Sequence, residues 1–145
     1  MKQTILVADD DSAVRWMLCR VLAGENYRVL AARDGKEALT TCKSQRLDLV
    51  LLDLSLPQKS GWEILELLSA EDPRVPVIII TARSNQIFPA LASGVGALME
   101  KPLDLPKLLR TIKDLLDQSS ASHLARREGR PTEFHYLPAQ LKSSA

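Results

Sequence analysis

A chain of 145 residues, 46% of them hydrophobic, can close one core of ordinary size and has no length for a second comparable domain. With 19 Lys and Arg against 18 Asp and Glu, it carries no overall field that would draw the whole protein to nucleic acid or an anionic membrane. Residues 1–8 lack the charged start and long apolar run of a secretion signal, and the apolar runs at 49–52 and 75–80 are too short to span a bilayer.

The chain alternates short apolar runs with segments of helical period. Thr4 to Ala8 reads as a strand, followed by Val14, Met17, Leu18, Val21 and Leu22 at helical spacings, with Asp11 or Ser12 as the cap. The alternation recurs as Arg28 to Ala32 then Gly35 to Lys43, Leu47 to Leu54 then Gly61 to Ala70, and Val75 to Thr81 then Phe88 to Ser93. In that fourth helix Pro89 is tolerable only near the start, which leaves a short piece ending near Gly94. Ala97 to Lys101 and Leu105 to Gln118 complete the series, the last helix carrying a stripe of Leu105, Leu108, Leu109, Ile112, Leu115 and Leu116.

The strands around 49–52 and 77–80 are apolar at consecutive positions, as in a parallel strand covered by helices on both faces. The expected fold is therefore α/β, a doubly wound parallel sheet of five strands over residues 1–118. From 119 to 145 the periodicity stops amid Ser, Arg, Pro131 and Pro138, which predicts a disordered polar tail or linker; Phe134, Tyr136, Leu137 and Leu141 are its only docking groups. Cys19 and Cys42 sit in helix-like stretches beside apolar neighbours and read as buried thiols, not a disulfide, which places the chain in the reducing cytoplasm.

In open α/β sheets the functional crevice lies beyond the carboxyl ends of the strands. There the sequence places Asp9 and Asp10, with Asp11 following, then Asp53, Thr81 and Lys101. Two carboxylates about 4 Å apart repel by about 1 kcal/mol in water and about 4 near a protein surface, so such a cluster calls for a cation. An all-oxygen set without His or Cys suits Mg²⁺, with Mn²⁺ as a substitute. A carboxylate can also be the nucleophile in phosphoryl transfer, provided that positive charge meets the arriving oxygens; metal and Lys101 supply it, and the Thr81 hydroxyl adds a hydrogen bond.

The segments VADDD, LLDLSLPQKSG, IIITA and EKP are very similar to the receiver domain of two-component response regulators, the CheY-like family, over residues 1 to about 118. The resemblance implies a flavodoxin-like (βα)5 sheet of order 2-1-3-4-5 and a phosphorylation switch. It implies Asp53 as phospho-acceptor, Asp10 as a direct metal ligand, Asp9 as a further acidic metal-site residue and the Ser55 backbone carbonyl as another ligand. Thr81 and Lys101 complete the set, and a cis bond precedes Pro102. The implied donor is a sensor histidine kinase or a histidine phosphotransfer protein, and the chain acts on its own phosphoryl group alone, not as an enzyme. The expected state is a monomer or weak homodimer.

The pattern departs from the family in places. Leu98 stands three residues before the lysine, where many receivers have Tyr or Phe, and the stretch from Thr81 to Lys101 is short and carries Pro89, Gly94 and Gly96. Ser55 and Arg83, two residues beyond Asp53 and Thr81, occupy positions that resemble those flanking the attacking water in the family, and the resemblance implies that they tune the lifetime of the phosphoryl group. The tail has no room for a helix-turn-helix, so no nucleic-acid contact by this chain is expected. Two other readings compete: a decayed receiver acting as a phosphorylation-independent interaction module, and an Asp-nucleophile phosphatase. The second is opposed by Ser55, where such enzymes need an acid, and by the nucleophile's place on the third strand.

Overall fold

The computed structural model describes residues 2–57, 60–83, 85–118, 120–129 and 133–140, and no helix among them is long and apolar enough to cross a membrane. The strands β1 (Thr4–Ala8), β2 (Arg28–Ala32), β3 (Leu49–Asp53), β4 (Val77–Thr81) and β5 (Ala97–Glu100) pair in parallel in the order 2-1-3-4-5. The helices α1 (Ser12–Gly24), α2 (Gly35–Ser44), α3 (Gly61–Glu71), α4 (Ile87–Ala92) and α5 (Leu105–Asp117) connect them. Strands and helices fall within one or two residues of where the periodicity places them: β3 and β4 each start two residues later, β3 and β5 end one residue earlier, and α4 is shifted by one.

Burial accounts for the consecutive apolar residues. Along β1, Leu6 and Ala8 face a core shared with Leu52, Ile64, Ile79 and Leu98, while Ile5 and Val7 face the opposite core with Leu51, Ile80, Met99 and Ile112. Successive side chains of a strand point to opposite faces, so a sheet with helices on both sides needs an apolar residue at every position. Local chemistry sets the helix starts: Asp11, Asp34, Ser60 and Asp104 each accept a backbone N–H of the first turn. Helix α4 is short, with Pro89 in its first turn and Ser93 N–H closing on the Pro89 carbonyl. Cys19 and Cys42 are free thiols, half-buried.

Beyond residue 118 the structure corrects the sequence reading. Ser120–Arg127 forms a helix, α6, and His135–Leu137 forms a sixth strand, β6, parallel to β5, so the sheet reads 2-1-3-4-5-6. The helix was not legible because its inward groups are polar: His123 and Arg126 are buried. The His123 ring meets the Leu115 carbonyl at 3.0 Å, and Arg126 meets His123, the Gln118 side chain at 2.7 Å and the Glu133 carbonyl at 3.1 Å. Phe134 and Leu137 then pack on opposite faces of the new sheet edge. Gly94, at φ +71°, admits this arrangement, since a Cβ there would stand 2.5 Å from the Arg126 carbonyl oxygen. Pro131 and Leu141, which entered the tail expectation, lie outside the described residues.

Candidate functional site: the carboxyl ends of the strands

Parallel register brings the chemistry-bearing residues together, because every strand ends on the same side of the sheet. Asp9 follows the last residue of β1, Asp53 ends β3, Thr81 ends β4, and Lys101 follows β5 with its N–H bonded to the Thr81 carbonyl at 2.8 Å. Asp9 and Asp53 are almost fully buried, at 1% and 2% exposure, and Thr81 is wholly buried. Asp10 is exposed at the rim. Carboxylate oxygens of Asp9, Asp10 and Asp53 lie within 4.8 Å of one another.

One ammonium serves two buried carboxylates. Lys101 Nζ lies 3.2 Å from Asp53 Oδ2 and 3.2 Å from Asp9 Oδ2, donating a hydrogen bond to Asp53. Asp53 Oδ1 accepts the Ser55 N–H at 3.0 Å, and Asp9 Oδ1 accepts the Asp11 N–H at 2.9 Å. Asp9 Oδ2, although ion-paired, is buried with no aligned hydrogen-bond donor. Burial pushes the Asp9 carboxyl up to about 6 and the Asp53 charge adds to the rise, against the opposing pull of the Asp11 N–H and Lys101. Burial alone would lower the Lys101 ammonium, but Asp53 and Asp9 outweigh it and hold its pKa above the ordinary value. The site is thus an anion-rich cup that is short of positive charge.

Around the cup, Arg15 anchors the end of β1 by donating to the Asp9 carbonyl at 2.7 Å. Thr81 Oγ1 accepts the Arg83 N–H at 2.9 Å. The Lys101–Pro102 bond is cis, as the resemblance implies. Gly61 lets α3 start against the loop after Asp53: its N–H bonds the Leu54 carbonyl at 3.0 Å, and a Cβ there would stand 2.5 Å from the Leu54 Cα. Every predicted site residue therefore sits at this one end of the sheet. Sequence reasoning did not include Arg15, whose role depends on a contact between α1 and the end of β1.

The model of the response regulator receiver domain family matches residues 5–113. The chain belongs to this family. Among curated proteins it is 36% identical over 136 residues to the DNA-binding response regulator MtrA of Mycolicibacterium smegmatis, covering 92% of this chain and 56% of that protein. It is also 36% identical over 122 residues to the response regulator MprA of Mycolicibacterium vanbaalenii, covering 83% of this chain and 53% of that one. The chain thus spans about half the length of the curated relatives it matches. A CheY-like receiver domain from Methanospirillum hungatei superposes with a TM-score of 0.77 at 30% identity, covering 81% of this chain and 95% of that one. The response regulator TrrA of Thermotoga maritima, solved in complex with Mg²⁺-BeF, superposes at 0.72 with 29% identity, over 78% and 98% of the two chains. The receiver described here is thus one of two-component signalling, and its sixth strand extends the CheY-like sheet.

Proposed function

We propose that this receiver is a phosphorylation switch that takes a phosphoryl group from a phosphohistidine donor onto Asp53 with the help of Mg²⁺. The observation that carries the reading is the charge balance of the cup. Buried Asp9 and Asp53 share one ammonium, and Asp9 Oδ2 has no aligned donor. Asp9, Asp10, Asp53 and the Ser55 backbone carbonyl would hold the cation. Bound there, Mg²⁺, or Mn²⁺ in its place, would neutralise carboxylate and phosphoryl charge as a hard, oxygen-loving ion.

In the transfer, an Asp53 carboxylate oxygen attacks the phosphorus in line, forming an O–P bond as the N–P bond to the donor histidine breaks; the departing imidazole keeps the electron pair and takes up a proton. Lys101, now paired to carboxylates, meets a phosphoryl oxygen as a compact point charge, and the Thr81 hydroxyl donates to another. Ser55 and Arg83, each two residues beyond an active group, flank the approach of water and tune the lifetime of the acyl phosphate. Catalysis is confined to the chain's own phosphorylation and dephosphorylation. The donor is a sensor histidine kinase or a histidine phosphotransfer protein.

Intact mass after incubation with acetyl phosphate tests this. One added phosphoryl group is expected, dependent on Mg²⁺ and absent from Asp53→Ala. An unmodified wild type that also fails with a phosphohistidine donor would favour a decayed receiver read by its partners through the fold alone.

A further inference from the structure

The segment after α6 is attached from the residue before β5 to the second residue beyond it. His135 N–H bonds the Gly96 carbonyl at 3.1 Å before β5 begins, and Ala97, Leu98 and Met99 pair with His135, Tyr136 and Leu137. Tyr136 donates its hydroxyl to Glu100 Oε1 at 2.6 Å, and Gln140 N–H bonds the Pro102 carbonyl at 2.9 Å. Lys101 lies between these last two attachments. Its backbone is therefore held from one side by Thr81 and from the other by a segment that belongs to no part of the cup.

The hold has little surplus. Strand β6 is three residues long and at the sheet edge, and Tyr136 is 42% exposed. Within the appendage Arg127 Nη1 and His135 Nε2 are buried without a hydrogen-bond partner among the described residues, a cost for each group. In this docked arrangement Lys101 Nζ is drawn to Asp9 and Asp53. A phosphoryl group on Asp53 would offer that ammonium a new partner, and Gln140 is tied to Pro102, the residue next to Lys101.

We propose that residues 133–140 form a strap coupled to the carboxylate cup, docked while Lys101 pairs with Asp9 and Asp53 and loosened when a phosphoryl group draws Lys101 to itself. The inference rests on the switch reading above. Loosening uncovers the β5 edge, a row of backbone donors and acceptors able to pair with another strand. Coupling is reciprocal: whatever factor loading takes from strap docking, strap loss gives back to loading. Tyr136 and Gln140 are positioning residues that act on the cup through Glu100 and Pro102.

The test uses the full chain, with beryllium fluoride and Mg²⁺ as the phosphoryl mimic. Amide hydrogen exchange at Leu137 and Gln140 is expected to accelerate by roughly fivefold or more on loading, with the β1 and β3 amides unchanged. Fluorine NMR should show tighter beryllofluoride binding for Leu137→Ala, by up to the same factor, and for Tyr136→Phe by less. The exposed Tyr136 site keeps the question open to measurement if Leu137→Ala fails to fold. Unchanged or slowed strap exchange in protein shown to bind beryllofluoride overturns the coupling and leaves the switch reading intact. Absence of both beryllofluoride binding and Asp53 phosphorylation overturns the two together.

Discussion

Two buried polar clusters among the described residues differ in whether they satisfy themselves. In the first, His123 and Arg126 meet each other, the Leu115 and Glu133 carbonyls and the Gln118 side chain, and neither has a buried polar atom left without a partner. In the second, Asp9 and Asp53 divide one lysine between them and Asp9 Oδ2 is left unaligned. A network closed on itself holds parts of a fold together, whereas a buried cluster short of one charge sign is arranged around something that comes from outside.

Breaking the closed cluster should have the largest effect. Arg126→Ala leaves the buried His123 ring nitrogen without its partner, at about 1–3 kcal/mol, and removes the bonds to the half-buried Gln118 side chain and to the Glu133 carbonyl. The appendage is one helix and a three-residue strand, so α6 and β6 should undock while the sheet of β1 to β5 survives. Amide exchange would read this as lost protection confined to residues beyond 118.

The open cluster should respond with the opposite sign. Asp9→Asn removes one of two anions competing for Lys101 and is expected to stabilise the metal-free protein by about 1 kcal/mol or more at neutral pH. Mg²⁺ should raise the melting temperature of the wild type, by the linkage of a ligand that binds the native state, and raise that of Asp9→Asn much less. Calorimetric scans with Mg²⁺ and with a chelator would check both.

A smaller effect follows from pH. Burial lowers the His123 pKa below its ordinary 6.5, and the Arg126 charge lowers it further, against a raising bond from the Leu115 carbonyl. In the neutral tautomer that fits both contacts, Nε2–H donates to Leu115 and Nδ1 accepts from Arg126. Because the folded pKa is depressed, the unfolded state binds more protons below pH 6.5. The appendage should therefore be fully docked above that value and lose docking as the pH falls through it. The protection factor at Leu137, which corrects the exchange rate for the intrinsic slowing of exchange at lower pH, should fall in the wild type between pH 7.5 and 5.5. The smallest effect belongs to the exposed Arg33–Glu37 pair: Arg33→Ala should change stability by less than about 0.5 kcal/mol in a urea titration.

The sequence by itself determined the five βα units and the residues of the cup. Strands such as Val77–Thr81 are buried at every position and so must be apolar nearly throughout, whereas a strand with one face in water would alternate with polar residues. A parallel sheet then brings all its strand ends to one side, which converts Asp9, Asp53, Thr81 and Lys101 from scattered residues into neighbours. Only the tertiary structure decided the fate of residues beyond 118. Helix α6 turns His123 and Arg126 inward, groups that count as solvent-facing in any hydrophobic pattern, and they are buried because α5 and the Glu133 carbonyl supply their partners. Strand β6 pairs through backbone groups every residue carries, and its apolar anchors, Phe134 and Leu137, are too few to show a period. Gly94 is where α6 approaches so closely that a side chain has no room, whereas a Cβ at Gly96 would meet the Leu115 side chain of α5. Periodicity records what a chain buries against its own sheet faces, whereas a polar appendage is stabilised by partners distant in sequence, which only the folded arrangement brings within reach.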